Sequence, residues 1–236
     1  MNAVSRILAT GLLASTVGLA EAIPTDLADL KQDDRNTTLF PKVAVGEYSD
    51  TGGSYVELTD ANSDNDDFTA FLLFEFAGFS GQNAFGIYDM YNFDPNDASS
   101  TNILEIFSGS DSPTSDLTVG FDLDTGTVEL GGTTANIGKY FGFYLERNGT
   151  RFYSDASLNS GGTDMALIYD VAGNQNQGLF GSDILVAFED VIDGDMDFND
   201  LVVGVSDVKL VPEPGTLALF SLGLLGLGLA SRRNKA

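Results

Sequence analysis

Between Phe188 and Asp200 the chain reads Phe-Glu-Asp-Val-Ile-Asp-Gly-Asp-Met-Asp-Phe-Asn-Asp, six carboxylates in thirteen residues with no Lys or Arg among them. Carboxylates held this close repel one another, and burial raises the cost further. Such a stretch is either well solvated or gathered around a cation. Read as extended chain, Asp193, Asp195, Asp197 and Asn199 fall on one side, with Met196, Phe198 and Asp200 on the other. Aspartates at every second position present oxygens to a single ion, and calcium takes six to eight of them at roughly 2.3–2.6 Å. The candidate ligands for Ca2+ are therefore Glu189, Asp190, Asp193, Asp195, Asp197, Asn199 and Asp200.

An EF-hand is excluded by direct count. Starting at Asp193, the sixth position is Phe198 instead of Gly and the twelfth is Gly204 instead of Glu. The glycine-rich repeat of calcium-binding β-helices is also absent. A calcium site here would be a bespoke loop, completed by backbone carbonyls and water. The competing reading is a solvated acidic turn whose Asp and Asn side chains cap backbone groups. Two weaker acidic clusters, Asp60/Asp64/Asp66/Asp67 and Asp122/Asp124, read as solvated turns.

Other chemistry is bounded by what is missing. The chain has no His and no Cys, which excludes Ser-His-Asp and Cys-His catalysis, ordinary zinc sites and disulfides. A carboxylate-based hydrolase acting on extracellular glycan remains as an alternative, with Glu189 and Asp200 as acid and base; the two carboxyls would need to stand about 5–5.5 or 6.5–9.5 Å apart. Trp, a frequent sugar-stacking platform, is absent. The balance favours a non-catalytic protein.

The charge is lopsided, with 35 acids against 11 bases and a net of −24. All but two of the acids, but only seven of the bases, lie between Ile23 and Val211. That field repels phosphates, which argues against nucleic acid or an anionic membrane surface as a partner. Divalent cations and cationic surfaces are its counterparts.

The elements that must position the acidic stretch are strands. β-rich runs occur at 55–58, 68–76, 84–88, 102–107, 117–122, 127–130, 140–145, 151–153, 165–169, 184–188 and 201–205, divided by Gly, Asn and Asp. Asp124-Thr-Gly126 and Arg147-Asn-Gly149 read as hairpin turns. No helical period of ten or more residues appears between Val43 and Leu210. The expectation is an all-β domain over 43–210, an antiparallel two-sheet β-sandwich of jelly-roll type. The acidic stretch then joins two apolar strands.

The ends are of another kind. Residues 1–22 carry Arg6, an apolar run from Ile7 to Leu19, and Ala20-Glu21-Ala22, the pattern of a secretory signal peptide with a small-x-small cleavage site. Residues 23–42 are polar and read as a linker or arm. At 211–236, Pro212-Glu213-Pro214 refuses helix and is followed by an apolar stretch, Leu217 to Ala230, and then Arg232-Arg233. A helix of fourteen residues is about 21 Å long, short for roughly 30 Å of hydrocarbon, though flanking residues extend it. The basic end is expected in the cytoplasm, which leaves the acidic domain on the far side of the membrane.

Pro212-Glu213-Pro214, a short hydrophobic helix and Arg232-Arg233, in that order, resemble the PEP-CTERM sorting signal of Gram-negative bacteria. The resemblance implies recognition of the tail by an exosortase and anchoring in the inner membrane, facing the periplasm. Transfer to the cell surface or matrix after tail processing, and association with exopolysaccharide and biofilm, would follow. Phe188-Glu-Asp190 together with Asp197-Phe-Asn-Asp-Leu-Val-Val203 resembles the signature of a bacterial extracellular domain family of unknown function. Its recurrent acids map to Glu189, Asp190, Asp197 and Asp200. Phe141-Gly-Phe-Tyr-Leu145 and Thr163-Asp-Met-Ala-Leu-Ile-Tyr169 are similar to the same family. Polysaccharide or matrix proteins are the partners such a surface protein would meet.

Overall fold

The computed structural model describes residues 50–60, 66–75, 82–97, 100–111, 115–173, 179–192, 194 and 198–211. The signal peptide, the 23–42 arm, the C-terminal helix and Pro212, Glu213, Pro214, Arg232 and Arg233 lie outside them, as do Asp193, Asp195 and Asp197.

The described chain is built of strands, with short 3-10 turns that include Ala156–Leu158 and Ser160–Gly162. Its strands are β1 (Tyr55–Leu58), β2 (Asp67–Glu75), β3 (Asn83–Asp89), β4 (Ile103–Phe107), β5 (Asp116–Asp122), β6 (Thr127–Leu130) and β7 (Thr133–Ala135), followed by β8 (Tyr140–Arg147), β9 (Thr150–Tyr153), β10 (Ala166–Asp170), β11 (Ile184–Phe188), β12 (Leu201–Val205) and β13 (Val208–Leu210). Every run expected from the pattern forms a strand. The sequence gives no sign of β7 and β13, which at three residues are too short to show a period.

All pairings are antiparallel and fall into two sheets. The first runs β13-β1-β8-β3-β4, with β9 also paired to β8; the second runs β10-β11-β12-β2-β5-β6-β7. The Asn148-Gly149 turn joins β8 to β9 with both residues at positive φ, 51° and 79°. Asn and Gly tolerate that conformation, and its twist matches the strands it joins.

Alternate residues of each sheet meet across a shared core. Phe68 of β2 stacks on Phe141 of β8 at 5.2 Å, and Phe85 of β3 meets Phe188 of β11 edge-on at 6.2 Å. Each buried ring contributes about 1.5–3 kcal/mol from surface removed from water. Both outer faces are also partly covered. On the first sheet Tyr144 lies over Gly86 and Tyr88 over Gly142, and in each case a methyl on the glycine would stand under 3 Å from the ring. These glycines are cut to fit the tyrosines, and burial pushes both phenols above the usual range. On the second sheet Leu73, Leu167, Tyr169, Leu185, Ala187 and Val202 form a separate apolar cluster, closed by Leu179 and Phe198. β11 and β12 are therefore buried on both faces, which explains their unbroken apolar sequences.

Candidate functional site: the acidic turn

β11 and β12 pair directly, with Phe188 opposite Leu201, so residues 189–200 form one long loop closing that hairpin. The chain is not extended at Phe198, so the expected alternation is interrupted there. That residue has a φ of +53°, and the left-handed step turns its ring back onto the second sheet, where it is buried.

Glu189 and Asp190 at the base of the loop are buried, and Asp200 is half-buried. Glu189 is fully buried, and its Oε1 accepts the Phe198 N–H at 2.7 Å. Asp200 Oδ2 accepts the Asp190 N–H at 2.9 Å. The two carboxylates thus cross the base of the loop in opposite directions, each closing on the other arm's backbone. Bonds of this charge-assisted kind are worth about 1.5–3 kcal/mol. The Glu189 N–H continues the ladder to the Met165 carbonyl at 3.1 Å. Gly194 folds over the same carboxylate; a Cβ there would stand 3.1 Å from Glu189 Oε2 and 3.1 Å from the Val191 carbonyl.

Asp190 reaches the other sheet. It is 2% exposed, accepts Arg147 Nη1 on Oδ1 at 2.9 Å and accepts Asn83 Nδ2 on Oδ2 at 3.2 Å. Arg147 ends β8 and Asn83 begins β3, and the two are register partners in the first sheet. One carboxylate therefore ties the acidic loop of the second sheet to two strands of the first. Neither Arg147 nor Asn83 stands out in the sequence. The only signal for Arg147 is that bases are so scarce in this chain.

Of the seven candidate ligands, Glu189, Asp190, Asn199 and Asp200 are within the described residues. Glu189, Asp190 and Asp200 are drawn together as the clamp just described, and Asn199 is half-buried beside them. Among the described residues no three or more acidic side chains converge as a metal-holding group.

The weaker acidic clusters meet in space. Asp67 on β2 pairs with Gly120 on β5, and Asp66, Asp67, Asp122 and Glu129 line one open groove of about 330 Å³. Partial burial and then the charges of Asp60, Asp207 and Asp66 push the Asp67 carboxyl up. Hydrogen bonds, first from the Thr125 hydroxyl, hold Asp122 down. A larger open groove of about 790 Å³ is lined by Glu146, Arg151, Asn96 and Tyr153 among others. Neither groove includes Glu189 or Asp200.

Residues 210–233 match the PEP-CTERM protein-sorting motif. The chain carries an exosortase sorting signal. The motif marks an exported protein whose C-terminal tail is anchored in the membrane before processing. Residues 136–207 match a domain of unknown function (DUF4114). That match contains Arg147, Glu189, Asp190, Phe198 and Asp200, so the clamp lies within the DUF4114 segment except for Asn83. No curated protein and no solved structure matches the chain.

Proposed function

We propose that this exosortase-sorted protein is a non-catalytic surface or matrix component. Its acidic β-domain, a sandwich of jelly-roll type, serves as a rigid module that meets exopolysaccharide or other matrix proteins in a biofilm. The observation that carries the reading is the engagement of Glu189, Asp190 and Asp200, the first two buried, with backbone and cross-sheet donors. Each is engaged in closing the loop or tying the sheets, a structural use that leaves the Glu189/Asp200 pair poorly placed for acid and base work. A glycan hydrolase built on that pair would need both groups facing a cleft.

Calcium fits this reading as a further staple. The clamp fixes the two arms of the loop, and Asp193, Asp195 and Asp197 lie between them in sequence, so an ion bound by them and by Asn199 would act on an already closed base. A ligand that binds the folded state alone stabilises it by mass action. Millimolar calcium is expected to raise the melting temperature of the exported domain, and Asp195→Ala/Asp197→Ala to remove the rise. Identical melting curves in calcium and in EDTA would sink the calcium part of the proposal. Turnover of any polysaccharide from a panel of neutral and acidic glycans would sink the non-catalytic part.

A further inference from the structure

The last strand and the sorting motif leave no linker between them. β13 is the edge strand of the first sheet. It pairs with β1 at Leu58↔Val208, Glu57↔Lys209 and Val56↔Leu210. The ladder is extended at both ends, by Thr59 N–H to the Asp207 carbonyl at 2.8 Å and by Val211 N–H to the Tyr55 carbonyl at 3.0 Å. Val208 is buried, Leu210 packs against the core, and Lys209 Nζ stands 3.1 Å from Glu57 Oε2. The next residue is Pro212, the first of Pro-Glu-Pro. The motif therefore follows directly on Val211, whose N–H is bonded into the sheet.

Extended peptides are recognised by their backbone groups and by side chains on both faces. In β13 one backbone edge is already taken by β1, and Val208 and Leu210 point into the domain. A cleft that takes the motif together with the residues before it collides with β1 as long as β13 stays docked. The strand is also built to part. It is three residues long, lies at an edge, and is joined to β12 by only Ser206 and Asp207. Short edge elements open at lower cost than the sheet interior.

We infer that β13 and the Pro-Glu-Pro motif form one segment for the exosortase, and that processing requires β13 to separate from β1. This rests on the reading of the tail as a processed sorting signal, and it assigns the enzyme a docking segment, 207–211, inside the folded domain.

The experiment locks the strand. Val56 and Leu210 are a non-hydrogen-bonded pair, since the flanking bond runs from Val211 N–H to the Tyr55 carbonyl. Their Cα atoms then stand about 4.5 Å apart, within disulfide range. The chain has no cysteine, so Val56→Cys/Leu210→Cys makes a single disulfide. The full-length chain is expressed with its exosortase, and the processed fraction is followed over time by immunoblot, alongside a form carrying a six-residue Gly/Ser spacer between Val211 and Pro212. The oxidised lock is expected to slow processing at least about tenfold. Reductant restores it, and so does the spacer without reductant. A locked chain processed at the wild-type rate overturns the inference, as does a lock that stays slow with the spacer present. If the unmodified chain is not processed at all under the same conditions, the sorting reading fails rather than the part played by β13.

Discussion

The sharpest test of the clamp is removal of the Asp190 carboxylate. Asp190→Ala deletes the acceptor of Arg147 Nη1 at 2.9 Å and of Asn83 Nδ2 at 3.2 Å. It also leaves a cavity at a position 2% exposed. Breaking a buried ion pair from one side costs about 3–5 kcal/mol. The Arg147 side chain is 22% exposed, so water recovers part of that cost, and stranding the buried Asn83 amide adds about 1–3 kcal/mol. The expected net is about 3 kcal/mol. For a domain of this size each kcal/mol moves the melting point by about 2–4 °C, so a fall of about 6–12 °C is expected. The assay is thermal unfolding of the exported domain by circular dichroism, run in parallel in calcium and in EDTA. An Asp190 acting through Arg147 and Asn83 gives the same loss in both. A loss confined to the calcium arm would refute the reasoning, because it would make Asp190 a metal ligand first. A fall under about 1 °C in both arms would refute it from the other side. Arg147→Met completes a double-mutant cycle in which the two changes together should cost clearly less than their sum.

Two further outcomes follow from other parts of the domain. Glu57 is held down to about 2 by hydrogen bonds from Lys139 and then Lys209, so its folded value lies below its unfolded one; its contribution is present above about pH 4.5 and lost as pH falls toward 2. The pair is largely solvent-screened, so Glu57→Gln should cost under about 1 kcal/mol at pH 7 and flatten the acid limb of a melting-point–pH curve, while an unchanged limb would show that the bridge does not couple to folding. Gly142→Ala places a methyl 2.5 Å from the Tyr88 ring and should destabilise by about 1–3 kcal/mol, with Tyr88→Leu in the same chain recovering part of it; urea melts that show no loss for the single change would mean that the ring is free to move away.

Much of the fold was legible because short strands announce themselves locally. The runs at 55–58, 127–130, 184–188 and 201–205 form strands with those bounds, since alternation, β-branched residues and flanking Gly or Asp act within a few residues. The Arg147-Asn-Gly149 turn was legible for the same reason: its positive φ values are demanded by the turn and tolerated by those residues. β13 was not, because Val-Lys-Leu has no pattern of its own and becomes a strand only where β1 offers an open edge.

The sequence by itself determined an acidic all-β chain, a sorting motif at 210–233, and a concentration of carboxylates between two apolar strands. What the base of that loop does was decided by tertiary structure alone. Parity along an extended chain assigns directions to the carboxylates, but the left-handed Phe198 breaks the alternation, and Asp190 finds its partners at positions 83 and 147 on the other sheet. Local spacing fixes which residues can become neighbours along a strand. Which way a buried carboxylate turns depends on where donors lie in space, and those donors are brought to it only when the two sheets close.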